Sequence, residues 1–123
     1  MLYAILCYHS EDIVGSWTKE EDDAVMARLA VVQEGLAKNG RLGPVVRLLP
    51  TTAATTLRKD HEPPLVLDGP FAETKEQLLG FYVVNCASLD DALESARELA
   101  SANPGGSYEI RPVALFNPGV AMT

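Results

Sequence analysis

Positive charge is scarce and scattered in this chain. Ten Lys and Arg stand against seventeen Asp and Glu, for a net charge of −7. Without a basic cluster there is no electrostatic footprint for a phosphate backbone, so nucleic acid is not expected as a direct partner. Only two cysteines and two histidines occur, each pair far apart in sequence. Neither cysteine sits in a C-x-x-C pair, so no structural zinc site is expected. Walker loop, G-x-G-x-x-G fingerprint, nucleophile elbow and helical pairs of metal ligands are all missing. No cofactor is therefore expected. The opening run "MLYAILCYHSED" has no basic n-region, no small-residue cleavage site and too little length to span a bilayer. It reads as a strand, with no membrane partner implied.

What is present suits a packed core. The chain has 123 residues, 47% hydrophobic and 22% charged, which fits one domain and excludes a disordered chain. A single domain over 1–117 with a loosely held tail at 118–123 is expected. Cys7 and Cys86 lie in separate apolar runs, favouring buried free thiols over a disulfide and a reducing cytoplasm as the home.

A short apolar run, Leu2 to His9, predicts a strand followed by a polar loop. Thr18-Lys19-Glu20-Glu21 has the form of a capping box. Val25, Met26, Leu29, Val32 and Leu36 then recur at helical spacing until Asn39-Gly40. A helix is predicted from about 19 to 39. "RLGPVVRLLP", interrupted by Gly43-Pro44, suggests a bulged or edge strand. Thr51 to Arg58 and Pro64 to Asp68 flank the polar tip Lys59-Asp60-His61-Glu62 as a hairpin would. Gly80 to Cys86 predicts a further strand. Ser88-Leu89-Asp90-Asp91 caps a second helix that Asn103-Pro104-Gly105-Gly106 ends, and Tyr108 to Phe116 forms the last strand.

That order is β-α-β, an inserted hairpin, then β-α-β. It predicts an α+β fold of the ferredoxin-like, split β-α-β kind, with an antiparallel sheet and both helices on one face. Such a sheet should alternate apolar and polar residues, yet Leu2 to Cys7 and Phe81 to Val84 are apolar on both sides. A second copy of the same sheet is the economical cover, so a homodimer is predicted.

Few side chains are candidates for chemistry. Asp68 closes a strand at Asp68-Gly69-Pro70-Phe71, where its carboxylate either holds the turn or converges with Glu73 and Lys75 on a polar pocket, as a general base. His9 ends the first strand before a polar loop, either as a half-exposed residue or as a proton shuttle in a cleft. Arg111 forms an ion pair with Glu109 or Asp68, or anchors an anionic ligand. Tyr82 is a core aromatic or presents its hydroxyl to that pocket. Trp17 is a lid or a hydrophobic staple. His61, at the hairpin tip, is expected to be exposed.

The tract "LDGPFAETKEQLLGFYVV", with "TTLR" before it and "EIRPV" after it, resembles the DGPF-type proteins of the YCII-related family, bacterial proteins of largely unassigned function. The resemblance runs from "LYAILCY" to "RPVALF" and implies a dimeric α+β barrel of ferredoxin-like protomers. A His-Asp pair is proposed as the active site of smaller YCII proteins, with the histidine in the first helix and the aspartate in a D-P motif after the second. Here the first helix has no histidine, and Asn103-Pro104 stands at the D-P position. Asp68, Gly69, Pro70, Phe71, Glu73, Lys75, Glu76, Gly80, Phe81, Arg111 and Pro112 match the DGPF pattern, to which the family gives no agreed role. DGPF proteins are often encoded beside extracytoplasmic-function sigma factors, and the resemblance therefore implies a sigma factor as a partner. Two functions follow as expectations: a cytoplasmic dimer that binds a small-molecule ligand, with an acid/base step in a polar cleft, or a non-enzymatic accessory of a sigma factor.

Overall fold

Thr18 begins the main helix because its hydroxyl accepts the Glu21 N–H at 3.1 Å while the Glu21 carboxylate accepts the Thr18 N–H at 3.2 Å. Both orphan donors are satisfied, and Glu20, Glu21 and Asp22 sit at the positive end of the helix dipole. This helix, α2, spans Lys19–Lys38. Gly40 ends it at φ 68°, and Arg41 N–H returns to the Leu36 carbonyl at 2.9 Å. The other long helix, α3, spans Leu89–Ala102 and is capped by the Ser88 hydroxyl, which accepts the Asp91 N–H.

The computed structural model describes residues 1–122, so residue 123 of the expected tail 118–123 lies outside the described residues. The fold is mixed α+β. Strands β1 (Leu2–His9), β2 (Leu42–Arg47), β5 (Gln77–Asn85) and β6 (Ser107–Pro112) form an antiparallel sheet in the order β2-β5-β1-β6. This sheet is open and closes no barrel among the described residues. Strands β3 (Thr55–Arg58) and β4 (Leu65–Asp68) pair as a separate two-stranded hairpin.

Both long helices pack on one face of the sheet. Tyr3 and Ile5 of β1 and Tyr82 and Val84 of β5 join Val25, Leu29 and Leu36 of α2 and Ala92, Ala96 and Leu99 of α3 in one buried cluster. Register explains the grouping, since Tyr3 lies opposite Val84 and Ile5 opposite Tyr82. The alternate residues Ala4, Leu6, Phe81 and Val83 face away from the helices.

Several boundaries differ from the sequence expectation. The loop after β1 contains a short helix, α1 (Glu11–Gly15), capped by Ser10. Strand β2 stops at Arg47 and shifts register between Leu42 and Val45, around Gly43-Pro44. The last strand ends at Pro112 rather than Phe116, because β1 starts at Leu2 and offers only one more bond, from the Val113 N–H to the Leu2 carbonyl. Strand β5 begins three residues before Gly80. Cys86 is buried and Cys7 half-buried, both as free thiols.

Candidate functional site

A cleft of about 250 Å³ opens between α2 and the sheet, at the end where β1 leaves the core. Its floor is set by register. Cys7 lies opposite Tyr108 on one side and Gly80 on the other, and Tyr82 stands two residues further along β5, opposite Ile5. The Cys7, Tyr82 and Tyr108 side chains are on the sheet face that packs against the helices. A side chain at Gly80 would collide with the Val46 carbonyl oxygen of β2, so glycine lets the edge strand close in and leaves the floor uncovered. Val25, Met26, Leu29 and Gln33 of α2 form one wall.

Two loops frame the mouth. The stretch from His9 through α1 contributes His9, Val14 and Trp17, and the turn after α3 contributes Asn103 and Gly105. Gly105 and Gly106 adopt φ of 80° and 77°, conformations that side chains disfavour. A Cβ on Gly105 would strike the His9 imidazole at Nε2, and one on Gly106 would strike the Tyr8 carbonyl oxygen, so the turn lies directly against the end of β1. Trp17 meets His9 edge-on, with centroids 6.3 Å apart at 81°. Trp17 forms no staple with the first turn of α2, since Asp22 occupies the position a hydrophobic partner would take. Asp22 instead binds Arg47 of β2 through two hydrogen bonds at the rim.

The floor is set to donate hydrogen bonds. Burial pushes the Cys7 thiol up to about 12. The Tyr108 hydroxyl is also pushed up to about 12, chiefly by burial, against the lowering effect of the Asn103 hydrogen bond. Burial raises Tyr82 as well, opposed by the Gln33 hydrogen bond. At neutral pH these three groups keep their protons. His9 accepts the Ser10 N–H at Nδ1, 2.8 Å away, which leaves the proton of the neutral ring on Nε2. Nε2 therefore acts as a donor in this geometry, not as a base.

Among the residues singled out from sequence, His9 and Tyr82 come together in the cleft. Asp68, Glu73 and Lys75 are exposed on or after the hairpin and line no part of it. Asp68 sits at the end of β4 opposite Thr55, beside the Gly69 N–H bond to the Ala54 carbonyl. Arg111 and Glu109 are exposed on the sheet face away from the helices, and neither forms an ion pair among the described residues. His61 is at the hairpin tip, 3.8 Å from Asp60. No group of three or more metal-ligating side chains occurs among the described residues. No helix among the described residues is long and apolar enough to cross a membrane.

Sequence reading missed Tyr108, Asn103, Gln33 and Cys7 as parts of the site. Asn103 was read as a helix stop and as the residue at the family's D-P position, not as part of a cleft. Tyr108 could have been found by parity, since it shares a strand face with Ile110, which packs against the core.

The YCII-related domain matches residues 1–117. The chain belongs to the YCII-related family. It is 60% identical over 120 residues to an uncharacterized protein of Rhizobium meliloti (strain 1021), covering 97% of each chain. In this YCII-related protein the cleft therefore lies wholly within the matched domain, and Asn103 is placed beside the His9-bearing mouth by the Gly105-Gly106 turn.

Proposed function

We propose that this protein binds a small organic ligand in the cleft between α2 and the sheet and works as a homodimer of ferredoxin-like protomers. The observation that carries the ligand reading is the cleft itself: an apolar enclosure whose few polar groups, Tyr82, Tyr108, Cys7 and His9, converge from three strands. With Nδ1 occupied by the Ser10 N–H, His9 offers its Nε2–H as a further hydrogen-bond donor to a bound ligand.

The dimer is supported by apolar surface that one chain leaves uncovered. Leu57, Val66 and Phe71 of the hairpin region are 60%, 68% and 74% exposed, and Leu6 and Phe81 form an apolar pair on the outer sheet face. Two sheets packed through that face would make a dimeric α+β barrel. In this reading Asp68, Glu73 and Lys75 serve the turn after the hairpin, and Arg111 serves the subunit interface.

A thermal-shift screen of a metabolite library against wild type, Met26→Trp and Asp68→Asn tests the reading. Met26 lines the cleft and is partly exposed, so the larger ring fills the site without opening the core. Ligands that raise the melting temperature of wild type and Asp68→Asn, but not of Met26→Trp, support the cleft. Hits that survive Met26→Trp sink it. A screen with no hits favours the accessory role on a sigma factor.

A further inference from the structure

The two phenols on the cleft floor share one arrangement: each ring packs with the core, and each hydroxyl is met by a side-chain amide. Tyr82 and Tyr108 stand on the strands that flank β1, on the same sheet face, with Cys7 between them. Each phenol oxygen accepts a hydrogen bond from a side-chain amide. Gln33 Nε2 donates to Tyr82 at 3.4 Å, and Asn103 Nδ2 donates to Tyr108 at 3.2 Å. Each hydroxyl proton is left without a protein acceptor among the described residues and has the cleft beside it. Two donors that line one cleft call for an acceptor on whatever fills it.

We infer that the cleft takes an uncharged carbonyl compound with an apolar body, its C=O oxygen accepting from the Tyr82 and Tyr108 hydroxyls. Three observations select this class. A carbonyl oxygen accepts two hydrogen bonds, which matches the two free donors. Both phenols stay protonated in neutral solution because burial raises them, so they remain donors. A carboxylate is disfavoured, since Arg47, the only Lys or Arg lining the cleft among the described residues, is already held by Asp22 at the rim and an uncompensated buried charge is costly. Gln33 and Asn103 act as positioning residues that fix the direction of the phenol protons. The walls of Val25, Met26 and Leu29 suit a hydrocarbon ring or chain.

This inference rests on the cleft being a ligand site, and the test separates the two. Indan-1-one, indane and indane-1-carboxylate share one skeleton and differ only in the oxygen group. Their affinities are measured by calorimetry on wild type, Tyr82→Phe, Tyr108→Phe and the double variant, with melting temperatures as a folding control. Indan-1-one is expected to bind wild type about tenfold more tightly than indane, each Phe substitution to cut that ratio, and the double variant to abolish it. A ligand site that lacks this chemistry gives equal binding of indan-1-one and indane to wild type, which overturns the carbonyl inference and leaves the cleft standing. Tighter binding of the carboxylate overturns it also. Binding of none of the three overturns the inference together with the ligand reading.

Discussion

Arg47 of β2 grips Asp22 of α2 through two hydrogen bonds, 2.9 and 3.3 Å long, and this pair ties the sheet's edge strand to the helix across the mouth of the cleft. The pair is partly exposed, with side-chain accessibilities of 52% and 31%. Its contribution is therefore limited to about 1 kcal/mol or less. Asp22→Ala should lower the melting temperature by a few degrees at low salt. The loss should shrink in ~1 M NaCl, where exposed charges are screened. Thermal unfolding at the two ionic strengths measures both effects.

Alkaline pH should destabilise the protein through the cleft floor. Cys7 rises from 9.0 to about 12 and Tyr108 from 10.0 to about 12 on folding. For a raised pKa the stabilisation is complete below the unfolded value and is lost as pH climbs through the folded one. Stability is thus expected to be flat in these two groups up to pH 9 and to decline between pH 9 and 12. Urea unfolding at pH 8, 9, 10 and 11 gives the slope, and Cys7→Ser, whose hydroxyl does not titrate there, should flatten its lower part.

Leu99 of α3 is fully buried in the helix–sheet cluster. Leu99→Ala removes its methyl groups from a site walled by the sheet and by α2, which leaves a cavity. A loss of about 2–5 kcal/mol in unfolding free energy is expected. Denaturant titration of wild type and variant reads it directly.

The outer face of the sheet provides the check on assembly. Leu6 lies opposite Phe81 there, away from the helices and the cleft. Leu6→Glu would place a carboxylate in the middle of the proposed subunit contact. Light scattering coupled to size exclusion should give a dimer for wild type and a monomer for the variant, with unchanged far-ultraviolet circular dichroism. A wild-type monomer would remove the dimer.

The helices were legible because their signals are local. Thr18 to Glu21 specifies a capping box within four residues, and Val25 to Leu36 marks the buried stripe. The antiparallel sheet followed from the element order. Site membership was harder to read because it depends on register and on tertiary direction. Asp68, Glu73 and Lys75 share a short stretch of sequence, which suggested a common pocket, but the hairpin that carries Asp68 forms its own sheet and none of the three lines the cleft. Tyr108 and Tyr82 are 26 positions apart and meet on the floor only because β5 and β6 both pair with β1. His9 was visible as a strand end, but the partner of its Nδ1, and thus its tautomer, was not.

Glu11, in the short helix beside His9, accepts hydrogen bonds from both the backbone and the hydroxyl of Thr51, at 2.8 and 2.7 Å. Thr51 begins the connection that runs into the hairpin. A single carboxylate thus fastens the rim above His9 to the root of the β3–β4 arm. The arm cannot swing from its root while α1 stays in place unless those two bonds to a charged group break, at a cost of about 1.5–3 kcal/mol each. Whatever grips the arm also steadies the doorway of the cleft.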